Sequence, residues 1–439
     1  MTARTQRAWT MYDWANSAYN LVITSTIFPA YYEAITTVRT ENGDIISDRV
    51  SFFGASVKNS ALFEWSIAAA YLLIAVLSPI FSSIADLRGT KKRFLAIFST
   101  LGGVACCGLF FFTPQRIEMG VVLAAIAALG YCGSLVFYNA YLPEIAAPED
   151  RDRLSARGFA MGYIGSVILQ IVCFLFVLMP KTFGLEDEAA GSRLSFLLVG
   201  IWWIGWAQIP LRILPKGTPQ ISSVRSESIL THGFRELGKV WAQVKGLPVL
   251  KRFLGAFFFY SAGVQTVMLA ATIFGSKELN MEASQLIATI LVIQIVAIAG
   301  AYGMARLSKT WGNLRVLAVV VGVWIGVCIA AYFTTTPVQF YVLAAVVGLV
   351  MGGIQSLSRS TYAKLMPETR DTASFFSFYD VTEKLAIVLG MFSFGFIDQL
   401  MGNMRYSIIA LIVFFAIGLL LLLHAQRNPS SHRSSSLAA

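Results

Sequence analysis

Four groups of residues have types and spacings that could handle charge, protons or a small polar solute. At 100° per residue, Asp13, Asn16, Asn20 and Thr24 fall on one helical stripe. Tyr131, Ser134, Tyr138 and Tyr141 share a second, and Ser261, Gln265 and Thr272 a third. Gly348, Gly352, Gln355, Arg359 and Tyr362 share a fourth. Each is a thin polar seam in an apolar run. Hydrocarbon rejects such seams, so they must face protein or water. Two uses fit: lining a wet cavity, or hydrogen bonding between helices.

Charged members narrow the chemistry. An acid in a cavity, such as Asp13, can take up a proton when desolvated; near the end of its run it could equally be solvated or paired at a gate. Asp380 and Lys384 stand four apart, with Glu383 between them, the spacing of an ion pair on one helix. Asp380 is also a candidate proton relay. Arg359 could clasp a substrate carboxylate through two parallel N–H groups, or serve as a cytoplasmic gate. Glu64, near the outer end of its run, suits an interface.

Other chemistry is missing. No nucleophile–base pair and no Cys/His metal spacing occurs, and His232, His424 and His432 are scattered. The five cysteines lie inside apolar stretches, as small packing residues do. Gly233 to Val240 nearly spells a phosphate-binding loop, but Val240 replaces the hydroxyl that would reach magnesium. Neither enzyme activity nor a metal or cofactor is expected, and any transport must run on a gradient.

The elements that position these seams follow from composition. Of 439 residues, 56% are hydrophobic and only 13% charged, with mean hydropathy +0.66. A soluble chain carries about a quarter charged residues. Twelve apolar stretches are each long enough to cross a bilayer: 11–31, 61–84, 94–113, 119–142, 158–179, 193–213, 252–275, 284–305, 314–335, 338–362, 374–397 and 405–424. They must be helices, because lipid offers no partner for backbone polar groups. The expectation is an all-α, polytopic membrane protein with twelve transmembrane helices.

Net charge is +10. Placement explains it without nucleic acid. Arg4, Arg7, Arg88, Lys91, Lys92, Arg93, Arg151, Arg153, Arg157, Arg306, Lys309, Arg315, Lys364, Arg370, Arg427 and Arg433 all fall on one side, the cytoplasmic side. The linker from Lys216 to Arg252 joins that side, while the other side holds Arg39, Arg49, Lys58, Arg116, Lys181, Arg193, Lys277 and Arg405 together with the acidic clusters Glu41, Asp44, Asp48 and Glu186 to Glu188. Both termini are then cytoplasmic, and the first helix reads as uncleaved. The expected organisation is a six-helix bundle over 1–213, a cytoplasmic linker over 214–251, a second six-helix bundle over 252–427 and a disordered tail over 428–439. In the linker, Phe234, Leu237, Val240, Trp241 and Val244 give one apolar helical face, as in a helix lying on a membrane surface.

The halves echo each other. Ser82-Ser83-Ile84-Ala85-Asp86-Leu87-Arg88-Gly89 is matched by Ala305-Arg306-Leu307-Ser308-Lys309-Thr310-Trp311-Gly312. Pro148-Glu149-Asp150-Arg151-Asp152 is matched by Pro367-Glu368-Thr369-Arg370-Asp371. Duplicated bundles around a central site are a transporter architecture.

At these residues the chain resembles the major facilitator superfamily, whose loop signature Asp86-Leu87-Arg88-Gly89-Thr90-Lys91-Lys92 looks like. Tyr12-Asp13-Trp14-Ala15-Asn16-Ser17-Ala18-Tyr19 and Gly352-Gly353-Ile354-Gln355-Ser356-Leu357-Ser358-Arg359-Ser360, supported by Ser374 to Asp380, resemble its "unknown major facilitator" group. That group includes fungal vacuolar amino-acid effluxers. Lys309 stands where the second-half loop often has an acid, and Tyr260 to Val264 lacks an acid before its glycine.

The resemblance implies two six-helix pseudo-repeats that move a small solute, an amino acid or similar metabolite, by alternating access. It further implies export; the acids within or at the spans suggest proton coupling, and the expected location is a bacterial inner membrane. On this reading Asp13, Asn16, Asn20, Tyr138, Gln265, Gln355 and Arg359 contact the solute, and Asp13 or Asp380 carries the proton. Asp86, Arg88, Gly89 and Lys91 form a cytoplasmic gate, with Asp86 facing the helix start near Ser374. The other partners are the lipid bilayer and protons. Two alternatives are drug or xenobiotic efflux through aromatic walls (Tyr131, Tyr138, Trp202, Trp203, Trp206) and a non-transporting membrane scaffold or sensor acting through 214–251.

Overall fold

Apolar runs closed by capping residues give long helices in the computed structural model, which describes residues 2–40, 45–219, 229–401 and 404–427. The tail 428–439, and Glu41 and Asp44 of the outer acidic cluster, lie outside the described residues. The chain opens with α1 (Ala3–Ala18), whose N-terminus is capped by the Thr2 side chain. A π-helical stretch, Tyr19–Thr26, joins it to α2 (Ile27–Thr36). Two short hairpins follow: β1 (Val38–Arg39) with β2 (Ile45–Ser47), and β3 (Arg49–Phe52) with β4 (Ala55–Lys58). Phe53 and Gly54 make the second turn, both at positive φ, as a twisted two-residue hairpin demands.

The remaining first-half helices are α3 (Asn59–Arg88), α4 (Lys91–Gly108), α5 (Ile117–Ala140), the short α6 (Leu142–Ile145), α7 (Arg151–Leu178) and α8 (Glu188–Ile213). Then come α9 (Ile229–Lys245), α10 (Pro248–Leu279), α11 (Ala283–Trp311) and α12 (Asn313–Phe333). The chain ends in α13 (Pro337–Leu365), α14 (Thr372–Met401) and α15 (Met404–Arg427). Reciprocal capping boxes, Glu282 with Gln285 and Thr336 with Gln339, start α11 and α13.

Every one of the twelve expected spans falls on helix. Ten helices of the described residues are apolar and long enough to cross on their own account, and α10 joins them as part of a bent pair with α9. The first segment is long enough but carries Thr10, Asp13, Asn16 and Asn20, which dilute its hydropathy.

The chain packs into two compact units. Unit 1 is Met1–Tyr141 with Met161–Gly233; unit 2 is Leu142–Ala160 with Phe234–Ala439. Helix α7 therefore begins in unit 2 and continues in unit 1. Both repeated segments end a helix at a glycine of positive φ: α3 at Gly89 (φ +64°, ψ 30°), the left-handed stop, and α11 at Gly312 (φ +81°, ψ 148°), a more extended turn. Helix α9 meets α10 at a bend of 112°, so it lies across the axis of its neighbour. Val240 and Val244 are buried, and Trp241 stacks on Phe378 of α14 (5.9 Å). The side chain of Phe234, expected on the same face, lies outside the described residues.

Candidate functional site

In unit 1, α1 and α5 bring Asp13 and Tyr138 together. The Tyr138 hydroxyl donates to Asp13 Oδ2 (2.6 Å), and both residues are buried. Trp9 stacks on the Tyr138 ring (4.4 Å) and its Nε1 donates to Tyr138 O (2.9 Å). The close approach of α7 depends on small residues: a Cβ on Gly162 would strike Ser17, and one on Gly165 would strike Trp14 O. That is the packing use of glycine in membrane helices.

Asn16 is buried beside Asp13, and its Nδ2 has no hydrogen-bond partner among the described residues. Gln170 of α7 is also buried. Its Oε1 accepts from Thr26 Oγ1 (2.8 Å) while Nε2 has no partner. Unit 1 thus carries two buried amide donors lacking an acceptor, each costing about 1–3 kcal/mol unless a ligand or water supplies one.

The expected stripe does not continue to Asn20. The π-helical stretch has a wider turn than 100° per residue allows for, and Asn20 lies exposed while Thr24 is half-buried. Of the expected aromatic wall, Tyr138 and Trp203 are fully buried, Tyr131 and Trp202 are half-buried and Trp206 is exposed.

The loop between α3 and α4 is a compact polar turn. Asp86 and Lys91 are both buried, with Lys91 Nζ 4.0 Å from Asp86 Oδ1, whereas Arg88 is exposed. At Gly89 a Cβ would strike the backbone of Gly217 and Thr218. Lys92 Nζ donates to Leu214 O (2.8 Å) at the end of α8, a cation on a helix's negative pole.

In unit 2, most of the α13 seam is packing. Cβ atoms on Gly348 and Gly352 would strike the backbone of Ile293 and Ala297 on α11. The Tyr362 hydroxyl donates to Phe375 O (2.6 Å). Arg359 is buried against the first turns of α7. Its Nε donates to Ser155 Oγ and its Nη2 to Ser155 O, both 2.9 Å, and the guanidinium lies 4.2 Å over the Phe159 ring. Ser155 Oγ in turn donates to Ser356 O (2.7 Å). Gln355 is half-buried.

Helices α10 and α14 carry the second polar group. They approach closely at Gly390, where a Cβ would strike Thr266 and Ala262 O. Lys384 Nζ stands 3.3 Å from Asp380 Oδ1 and 3.6 Å from Glu383 Oε2. Gln265 Nε2 donates to Glu383 Oε1 (3.4 Å). Asp380 and Lys384 are buried, and Asp380 Oδ2 has no hydrogen-bond partner among the described residues. Of the α10 stripe, Ser261 is buried, and the Thr272 side chain lies outside the described residues.

Sequence reasoning missed one centre. Asp152, named from sequence only as the end of the repeated segment, is 2% exposed. It accepts from Ser308 Oγ (2.9 Å) and Asn313 Nδ2 (2.7 Å) and pairs with Lys364 Nζ. Arg151 beside it donates to Ala363 O (2.7 Å), Ala146 O and Pro143 O. The repeated Pro-Glu-x-Arg-Asp segment was the available signal. Gln170 and Glu383 were likewise not singled out as site residues.

The fold is that of the major facilitator superfamily of secondary transporters. The proton:xylose symporter XylE superposes with a TM-score of 0.70 at 12% identity, covering 97% of this chain and 95% of its own. The chain belongs to the family described as "Vacuole effluxer Atg22 like", whose profile matches residues 1–433. The MFS-type transporter YxiO of Bacillus subtilis is 32% identical, over 97% of this chain and 96% of its own length. Autophagy-related protein 22-1 of Penicillium rubens is 25% identical, over 86% of this chain and 78% of its own. The protein is thus a multi-pass membrane transporter of the same superfamily.

Proposed function

We propose that the protein exports amino acids or similar small metabolites by alternating access, driven by protons. The observation that carries this is the set of buried polar groups left unpaired. Among the described residues these include Asn16 Nδ2 and Gln170 Nε2 in unit 1, which lack an acceptor, and Asp380 Oδ2 in unit 2, which lacks a donor, beside groups such as Trp203 Nε1, Thr266 Oγ1 and Gln294 Oε1. A zwitterion brings both an acceptor and a donor, whereas a purely apolar drug brings neither. The family's description as vacuole effluxers supports export.

In this reading Asp13, Asn16, Tyr138, Gln265 and Gln355 serve the solute. Asp380 carries the proton, since Asp13 already holds the Tyr138 hydroxyl. Asp86, Gly89 and Lys91 form the cytoplasmic gate, with Arg88 at its rim. Arg359 acts by positioning α7. We place the protein in a bacterial cytoplasmic membrane with both ends of the chain facing inward, an orientation that the Lys and Arg placement supports; labelling of cysteines placed at Thr2 and Arg427 from each side tests this.

The functional test is counterflow in liposomes. Purified protein exchanges labelled amino acids from a set of the twenty, and an acid exterior drives their net exit. Failure to move any of the twenty, in either direction, sinks the substrate reading.

A further inference from the structure

The two carboxylates and one lysine of α14 pose a problem of charge. Asp380, Glu383 and Lys384 sum to one surplus negative charge inside an apolar helix pair, and an uncompensated buried charge costs several kcal/mol. Asp380 lies 4% exposed with Oδ2 unpartnered, while the Glu383 side chain keeps 24% of its surface open. Gln265 holds Glu383 through one long contact of 3.4 Å, which a better donor can displace.

We propose that Glu383 and Asp380 form a subsite for a primary ammonium group, and that loading it expels one proton. This rests on the transporter reading and names one contact of its solute. In the empty site Asp380 is a neutral carboxylic acid, so Glu383 and Lys384 balance. When an ammonium enters, its N–H groups donate to Glu383 and to Asp380 Oδ2, and the Asp380 proton passes to water. Charge is then two negative and two positive, zero before and after. Lys384 stays put, shared between the two acids. A solute ammonium and a proton therefore exclude each other, which is the logic of an antiporter.

The other charged groups around Asp380 are few. Its own helix supplies Glu383, Lys384 and the buried Tyr379 hydroxyl. From α10 come the Gln265 amide and the Tyr260 hydroxyl, the latter hydrogen-bonded to Ser358 Oγ (2.7 Å). From α13 come the Tyr362 hydroxyl, spent on Phe375 O, and the Arg359 guanidinium, spent on Ser155. Helix α9 sets Trp241 on Phe378, with Lys245 Nζ 5.4 Å above the indole, and α6 sets Glu144 on Thr372. Helix α15 has no ionisable side chain from Ser407 to Leu423.

The test uses the full chain in lipid nanodiscs with ethylammonium chloride as the probe, against sodium chloride and choline chloride at equal ionic strength. Thermal shift reads binding, and an indicator dye in weak buffer reads protons. Ethylammonium is expected to stabilise the protein at millimolar concentration and to release one proton per molecule bound. Sodium and choline, which has no N–H group, should do neither. Glu383→Gln should weaken ethylammonium about tenfold, the loss of one charge-assisted hydrogen bond, and Glu383→Asp should fall between. Asp380→Asn should bind more weakly and release no proton. The proposal is overturned if ethylammonium acts no differently from choline or sodium, if Glu383→Gln binds as wild type does, or if Asp380→Asn still releases a proton. The wild-type comparison needs no variant to fold. Failure of amino-acid counterflow with this result intact would remove the substrate reading alone.

Discussion

The Tyr138 hydroxyl and Asp13 Oδ2, on α5 and α1, stand 2.6 Å apart in a buried setting stacked beneath Trp9. A short O–H···O contact to a carboxylate is among the stronger hydrogen bonds a protein makes. It ties the most specific sequence segment of the chain, Tyr12 to Tyr19, to the polar seam of α5. Tyr138→Phe removes a hydroxyl donor to Oδ2 with little change of shape, and should lower stability by about 1–3 kcal/mol. Asp13→Asn should cost less, because the amide oxygen still accepts from Tyr138. A double-mutant cycle read by thermal unfolding in detergent should show a coupling between the two sites; additive losses would mean the contact is incidental.

Asp152 makes a second prediction. It accepts from Ser308, Asn313 and Lys364, and the Asp152 side chain is 2% exposed. Asp152→Ala removes the carboxylate facing Lys364, which is 25% exposed and keeps its contact with Asn313 Oδ1, and leaves Ser308 and Asn313 without their acceptor, a loss of about 1–3 kcal/mol. Pairing Asp152→Asn with Lys364→Met removes both charges and should recover much of that loss. Unfolding midpoints of the purified variants decide it, and a double variant no better than Asp152→Ala would contradict the account.

How much of this was visible in the residues alone follows from what kind of constraint each feature obeys. The spans were legible because lipid imposes length and hydropathy locally, so α3 to α5 or α11 to α13 needed no tertiary knowledge. Gly89 and Gly312 were legible as matched ends of the internal repeat, and the structure adds that both end a helix at positive φ. Asn20 leaves the buried stripe because a π-helical turn is a tertiary choice that periodicity cannot reveal. Arg359, Gly348 and Gly352 matched a cavity-lining stripe as well as a packing one, since both call for small or polar residues on one face. Only their neighbours, Ser155, Ile293 and Ala297, separate the two. Asp152 was hidden because a charge near a loop normally stays solvated. The hairpins over 38–58 were not foreseen, lying in a polar stretch between two strong spans.

The paired glycines offer a differential test. Both sit at positive φ, which costs a residue with a Cβ about 1–3 kcal/mol. At Gly312 nothing stands within reach of the new atom, whereas at Gly89 it would meet the backbone of Gly217 and Thr218. Gly89→Ala should therefore destabilise more than Gly312→Ala, and should also loosen the segment after α8. Proteolysis rates at Lys216, compared across the two variants, read that loosening. Equal effects would mean that only the backbone angle matters.

Arg359 closes a small circuit: its guanidinium donates twice to Ser155, lies over Phe159, and Ser155 donates onward to Ser356. A lysine keeps the charge but loses the planar fork and the stacking face. Arg359→Lys should therefore behave nearly as badly as Arg359→Ala, which a simple point-charge contact with a solute carboxylate would not predict. Ser155→Ala removes the hydroxyl link while leaving the Ser155 carbonyl, and should produce a milder form of the same defect. In counterflow, all three should depress the exchange rate at saturating solute, because they disturb how α7 is held and leave the solute's own contacts alone. A raised half-saturation concentration with an unchanged maximal rate would instead return Arg359 to the solute.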